Sequence, residues 1–352
     1  MRALGLMSGT SLDGVDAAIV ETDGEDRVTA GACLTMPYDD ALRARLRAAL
    51  GDPAAGQAVE AALTDAHAAA VEALLAAGGI DRRTIDVVGF HGQTVLHRPA
   101  EGRTWQIGDG ARLARATGIR VVNDFRSADL RAGGQGAPLA PAYHRALAAG
   151  LSKPLAVVNV GGVANVTWIG TDGELIAFDT GPGNALIDDW LLEHTGRPID
   201  AGGTLAQEGA IDAPVLARML RHGYFDEPPP KSLDRNDFDA AAAAGLSPAD
   251  GARTLTAFTA RAIAAAVRHF PAPPLRWLIC GGGRHNPTLM AELAGVLHRP
   301  VEPVEAVGWR GDSLEAEAFA YLAVRVLKGL PTSFPSTTGA RQPVSGGQAH
   351  LP

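Results

Sequence analysis

Apolar runs and polar breaks alternate from the first residues onward, and the alternation predicts strands joined by tight turns. Ala3–Met7 is apolar, "SGTSLDG" (8–14) interrupts it, and Val15–Glu21 resumes it up to the turn "TDGE" at 22–25. A third strand over Val28–Met36 follows. The same grammar returns about 150 residues later, where "LAVVNVGGVANVTWIG" (155–170) reads as strand, Gly-Gly turn and strand, closed by a second "TDGE" and followed by the strand "LIAF". A solenoid would show many copies; two copies of one hairpin unit predict two related domains.

Between the hairpins, Ala54–Ala77 is rich in Ala, Leu, Val and Glu without Pro, a helix ended by Gly78-Gly79. The strand "IDVVGF" ends in "HGQT"; "TWQIGDGARLARATGIRVVNDF" reads as turn, helix and strand; and "GGQGAPLAPAYHRAL" is a glycine-rich loop entering a helix. Further on, a strand over Trp277–Cys280 meets a triple-glycine turn and then a helix with Asn286 as N-cap and Pro287 in its first turn. Strands alternating with helices predict an α/β protein with mixed sheets. The final helix is "SLEAEAFAYLAVRVLKG"; the turn-rich segment after it is expected to lie on the surface or to be partly disordered.

At 352 residues and 46% hydrophobic content the chain can supply two cores. A net charge of −8 argues against a nucleic-acid partner, which needs clustered Lys and Arg. Cys33 and Cys280 are too few for a disulfide framework or a zinc site. The polar residues from Ser8 onward do not suit a signal peptide, and no apolar run of about 20 residues is present to span a bilayer, so a cytoplasmic protein is expected.

The opening turn has the makings of a phosphate site. Its small residues allow close backbone approach, successive N–H groups form an anion-binding concavity, and Ser8, Thr10 and Ser11 add hydroxyls. Asp13 or Asp16 could hold Mg²⁺, directly or through water, so that Mg-nucleotide is the natural guest. An ordinary hairpin of turn residues is the alternative; a P-loop fits worse, because no Gly-Lys-Ser/Thr end is present and a strand follows. Gly161, Gly162, Asn165 and Thr167 repeat the arrangement in the second hairpin, which suggests two turns gripping a polyphosphate; the triple glycine offers a third close approach or a plain strand-to-helix connection.

In "LIAFDTGPGNALIDDWL", Asp179 follows an apolar run and is expected at a strand end, as a general base or as a turn cap. His91 and His97 are six residues apart, an unsuitable spacing for a zinc pair on one helix face. His91, Gln93 and Thr94 form a donor and acceptor set suited to sugar hydroxyls or to an internally satisfied turn.

Seven segments in order carry a resemblance: "GLMSGTSLDGVDAAIV", "FHGQTVLHRP", "GGQGAPLAPAYH", "NVGGVANVT", "FDTGPGNALID", "CGGGRHNPTLM" and "LEAEAFAYLA". From about Leu4 to Gly339 the chain resembles the anhydro-N-acetylmuramic acid kinases. The resemblance implies two ribonuclease H-like domains of the actin, hexokinase and Hsp70 type around a central nucleotide cleft. They are expected over 1–130 with about 310–352, and over 131–309. It implies ATP and Mg²⁺ as cofactors, a cytoplasmic homodimer in cell-wall amino-sugar recycling, and a reaction that opens a 1,6-anhydro ring with water and phosphorylates O6. It implies that Gly9, Thr10, Ser11, Leu12, Asp13, Gly14, Val15 and Asp16 hold the phosphates, with Gly161, Gly162 and Asn165 facing them. Gly281, Gly282, Gly283 and Asn286 would lie near the adenosine, and Asp179 would be the base. His91, Gln93, Thr94, Gly134, Gln135 and Glu315 would serve the substrate. Two departures stand out: Arg131 replaces a residue usually small, and Ser232–Asn236 differs from the more usual Lys-Ser-Thr-Gly-Arg-Glu run. Another sugar or acid kinase of the superfamily, or an actin-type assembly protein, are the alternatives.

Overall fold

The computed structural model describes residues 1–9, 12–234 and 237–352. They form two compact units, Met1–Gly150 with Ser313–Pro352, and Leu151–Asp312. The first unit contributes β1 (Arg2–Ser8), β2 (Gly14–Thr22), β3 (Val28–Pro37), β4 (Val87–Arg98), β5 (Arg103–Ile107) and β6 (Val121–Asn123). The second contributes β7 (Leu155–Val160), β8 (Val163–Ile169), β9 (Leu175–Pro182), β10 (Trp277–Cys280) and β11 (Val301–Pro303), and β12 (Gln348–His350) returns to the first.

Each unit repeats one topology. The first sheet runs β12-β6-β4-β1-β2-β3 and the second β11-β10-β7-β8-β9. In both, the first three strands are antiparallel neighbours and the next two lie parallel on the other side. That order is the ribonuclease H-like arrangement, present twice, and the two hairpins of the sequence are its β1–β2 and β7–β8 pairs.

Packing explains the layers. Asp52 caps the helix Pro53–Gly78 by accepting from the Ala54 and Ala55 N–H groups, and Gly79 ends it in the left-handed conformation. The buried stripe of this helix, Val59, Leu63, Val71 and Leu74, meets Leu4, Leu6, Val88 and Phe90 of the sheet. Each such side chain adds about 1.5–3 kcal/mol by leaving water. On β1 and β4 the helix Leu314–Leu327 sits so close that a Cβ on Gly5 would lie 1.8 Å from the Ala316 carbonyl oxygen, and one on Gly89 2.0 Å from that of Phe319. These two glycines therefore set the position of the helix that carries Glu315.

Three expectations change. β4 does not stop before "HGQT": it outlasts β1 and continues to Arg98 as a ribbon paired with β5. Asp179 is inside β9, which runs on through Pro182 against β8, rather than at a strand end. The C-terminal segment is folded, with Thr332, Ser333, Thr337 and Thr338 buried and β12 completing the sheet edge beside β6. Ser333 and Thr338 look like turn formers, but their partner is a buried carboxylate far away in sequence, Asp129.

Candidate active site

In the first unit the opening hairpin is tied to β4 by side chains. Ser8 donates to Gln93 Oε1 at 2.9 Å and to the Gly92 carbonyl at 3.3 Å, while Gln93 Nε2 donates to the Thr94 carbonyl at 3.3 Å. Gln93 is fully buried, so it locks the hairpin to its neighbour. The Gly9 carbonyl accepts from the Leu12 N–H at 3.2 Å, and Leu12 takes φ +56° with its side chain in the core beside Val15. Leu12 and Val15 can thus offer a ligand only their backbone. Gly14 is required by β3, since a Cβ there would lie 2.4 Å from the Met36 oxygen. Thr10 and Ser11 lie outside the described residues.

Asp13 is exposed and Asp16, half-buried, accepts from Thr35 Oγ1 at 2.5 Å. Burial raises the pKa of the nearby Tyr38 phenol, and the charges of Asp13 and Asp16 push it further in the same direction. No group of three or more His, Cys, Asp or Glu among the described residues could hold a metal by itself. Two carboxylates close to one turn have the oxygen donors that suit Mg²⁺, an ion that usually keeps several waters.

His91 does not present a free ring. Burial, with the Arg126 charge adding to it, takes its pKa well below the ordinary value, so the ring is neutral. Nδ1–H donates to the Gly92 carbonyl at 2.8 Å, and Nε2 accepts from Arg126 Nη2 at 2.9 Å. Arg126 Nη1 donates to the Gly136 carbonyl at 2.7 Å. The guanidinium also acts on Glu315, an exposed carboxylate whose pKa is raised by dehydration, lowered by Arg126 and raised again by Asp16. Arg126, not singled out in the sequence, is therefore the cation that joins His91, the glycine-rich loop and Glu315.

Asp129 shapes that loop. It is buried, accepts from the Gly136 N–H at 2.7 Å and from Thr338 Oγ1 at 2.7 Å, and takes a third bond from Ser333 Oγ. A Cβ on Gly134 would meet Asp129 Oδ2 at 2.2 Å, and the Gln135 N–H donates to the Thr338 carbonyl at 2.7 Å. Thr94 accepts from Gln106 Nε2 at 3.2 Å on the β4–β5 ribbon.

In the second unit the glycines divide into two kinds. Gly281 has φ +73° and its Cβ would lie 2.2 Å from Asn159 Oδ1; at Gly283 a Cβ would lie 2.5 Å from Val160. The fold requires both. At Gly161, Gly162 and Gly282 a Cβ would find its nearest neighbour at 3.5, 3.8 and 3.9 Å, and none of the three has a positive φ. Nothing in the protein's own packing demands glycine there, and the open space leaves the backbone free for close approach by a ligand. These three surround Asn184, which donates to the Val160 and Gly161 carbonyls at 3.1 and 3.2 Å. Arg284 braces the triple-glycine turn through the Gly281 carbonyl at 2.9 Å, Glu305 at 2.9 Å and Asp312 at 2.7 Å. Asn286 caps the following helix, accepting from the Leu289 N–H at 3.0 Å.

Asp179 faces Asn165 across the β8–β9 ladder, next to a bulge at Ala164/Asn165. Its backbone is held on both sides: its N–H donates to the Lys231 carbonyl at 3.0 Å, and its carbonyl accepts from Tyr224 OH at 2.5 Å. Oδ2 accepts from the Leu233 N–H at 2.8 Å. A half-buried carboxylate with its backbone fixed and one oxygen oriented can accept a proton in a defined direction.

A sequence model of the family described as anhydro-N-acetylmuramic acid kinase matches residues 1–351. The chain belongs to that family. Relatives of that name from Rhizorhabdus wittichii and Paramagnetospirillum magneticum are 58% identical over 362 residues (100% of this chain, 99% of the relative) and 59% identical over 355 (100% of each). Among solved structures the chain is similar to Acidaminococcus fermentans (R)-2-hydroxyglutaryl-CoA dehydratase component A, at 11% identity and TM-score 0.49, covering 92% of this chain and 99% of that one.

As a member of the anhydro-N-acetylmuramic acid kinase family the chain is a phosphotransferase. Within the first unit, Ser8 and Gln93 come together directly, while Asp16 and Glu315 lie close enough to act on each other's charge. His91 joins them through Arg126. Within the second, Asp179 and Asn165 are ladder partners, and Gly161, Gly162 and Gly282 gather at Asn184. Arg126, Asp129, Asn184, Tyr224, Lys231 and Arg284 were missed as site-building residues. The glycines directly before Asn184 and Arg284 are the signal the sequence offers for them.

Proposed function

We propose that this kinase hydrolyses the 1,6-anhydro bridge of 1,6-anhydro-N-acetylmuramic acid while phosphorylating O6, producing N-acetylmuramic acid 6-phosphate and ADP. Family membership supports the substrate. The observation that supports the chemistry is Asp179, held through its backbone and through Oδ2. In a 1,6-anhydro sugar O6 bridges to C1 and has no proton to give, so a base has nothing to remove from it. A water is the proton source instead: Asp179 takes its proton as the water oxygen bonds to C1 and the C1–O6 bond breaks. O6 then bonds to the γ-phosphorus of ATP, and the bond from that phosphorus to the ADP oxygen breaks.

The backbone around Gly161, Gly162 and Gly282, and that of Gly9–Asp16, would bind the nucleotide, with Asp13 and Asp16 the residues that would hold Mg²⁺. That ion supplies charge neutralisation at the phosphates. Arg126 and Glu315 would serve the sugar. The resemblance supports a setting in cytoplasmic amino-sugar recycling and a homodimer. Reaction in heavy-oxygen water, stopped before anomeric exchange, should label the C1 hydroxyl and leave the phosphate unlabelled. A phosphorylated product with an intact anhydro bridge, or label in the phosphate, would reject the coupled mechanism.

A further inference from the structure

Beyond the Gln93 end of the β4–β5 ribbon, the first unit holds a cavity of about 460 Å³ that none of the functions above uses. Leu96, Trp105 and Leu130 supply apolar walls, and Arg103, Ser127 and Arg131 supply polar ones. The ribbon leads into it from the site, since the pair Thr94↔Gln106 is followed by Leu96↔Trp105. The helix Ser127–Arg131 reaches it from the other side, because residues 127, 130 and 131 share one helical face directly after Arg126. Leu130 and Arg126 converge on the glycine-rich loop: a Cβ on Gly136 would lie 2.3 Å from Leu130 Cδ1 and 3.5 Å from Arg126 Cβ. The cavity and the Arg126 side of the site are therefore neighbours within one unit.

Its charge is unusual for this chain. In a protein of net charge −8 the cavity lining contains two arginines and no Asp or Glu. Arg103 has a long contact of 3.6 Å with Glu101, whereas Arg131 is exposed and forms no ion pair among the described residues. Arg131 is also the position at which the chain departs from the small residue usual in the resembling family.

We propose that this cavity receives the O3 lactyl arm of the sugar, with Arg131 pairing with its carboxylate and Trp105 and Leu130 covering its methyl group. A guanidinium is suited to a carboxylate because its fork can donate two parallel hydrogen bonds. The inference rests on the function proposed above, and the test separates the two. Initial rates are measured for wild type, Arg131→Ala and Arg131→Lys on 1,6-anhydro-N-acetylmuramic acid, on its lactyl amide, and on 1,6-anhydro-N-acetylglucosamine, which lacks the arm.

For the acid, Arg131→Ala should raise KM about tenfold with kcat little changed, as expected for loss of one exposed charge-assisted contact. Arg131→Lys should recover part of the loss, and both variants should match wild type on the sugar without the arm. A lactyl amide that wild type handles no worse than the acid, or an Arg131→Ala effect equal on all three sugars, would overturn the assignment. Absence of wild-type phosphorylation of any anhydro sugar would instead overturn the proposed function, and this inference with it.

Discussion

Replacing Lys231 by Met tests the buried ammonium that packs over Tyr224. Lys231 is 6% exposed; its ammonium donates to the Tyr224 carbonyl at 2.7 Å and stands 4.3 Å over the Tyr224 ring and 5.7 Å from that of Phe178. Burial lowers its pKa to about 8; Glu227 and Asp226 oppose the shift and Arg268 adds to it. His269, whose own pKa is lowered by burial, by Lys231 and by Arg268, adds no charge there. An unfolded chain keeps the lysine proton up to about pH 10.4, so between pH 8 and that value the unfolded state binds more protons and stability rises with pH. Below pH 8 the penalty of the buried ammonium is fully present, on the order of 3 kcal/mol. From pH 7.5 to 9.5 wild type should therefore gain about 2 kcal/mol relative to Lys231→Met, in which this titration is absent. Urea midpoints of both proteins at the two pH values give the difference directly, and the titrations of other groups cancel in it. At pH 7.5 the variant should stay within about 2 kcal/mol of wild type, because relief of the buried charge offsets the unpaired Tyr224 carbonyl. Equal pH responses of the two proteins would refute the reasoning, since they would mean that Lys231 keeps an ordinary lysine titration.

Asp179→Asn keeps an oxygen for the Leu233 N–H but removes the basic carboxylate, so turnover should fall roughly 10²-fold to 10⁴-fold while calorimetry still shows nucleotide binding. Near-normal turnover would leave Asp179 a purely structural role. Gly161→Ala should melt within a few degrees of wild type yet bind ATP more weakly. Gly281→Ala should be destabilised, because the added methyl meets a positive φ and a contact at 2.2 Å. Unchanged ATP affinity in Gly161→Ala would remove the ligand-approach reading of that turn.

What was legible in the sequence was local. The hairpins show as apolar runs broken by glycine-bearing turns, the helix Pro53–Gly78 as a stretch rich in Ala, Leu, Val and Glu ended by glycines, and the Asn286 cap as a side chain that bonds three residues ahead. Gly5 and Gly89, by contrast, look like weak points in strands until the helix Leu314–Leu327 is laid over them. Asp129 has no local signature either: two of its three bonds come from residues 204 and 209 positions away, and those same bonds turn a turn-rich C-terminal segment into a buried one. Composition describes what a segment does with its neighbours in sequence, and a partner at that separation leaves no trace in it.

The same distinction bears on the set His91, Gln93 and Thr94, which suits either sugar hydroxyls or an internally satisfied turn. Gln93 bonds to Ser8 and its own strand, and His91 to Gly92 and Arg126. A buried polar group must find partners in the folded chain before any ligand arrives, so burial divides the polar set into braces and exposed contacts. Glu315 falls on the exposed side of that division. It is exposed, its carboxylate is pushed toward protonation by dehydration and by Asp16, and Arg126 works against both. Arg126 is itself oriented by a neutral His91 and by the Gly136 carbonyl, and Gly136 is fixed through its N–H to Asp129. The charge state of the exposed carboxylate thus depends on a guanidinium whose position is set by a histidine on β4 and by an aspartate anchored to the C-terminal segment. The C-terminal segment is consequently part of the electrostatics around Glu315.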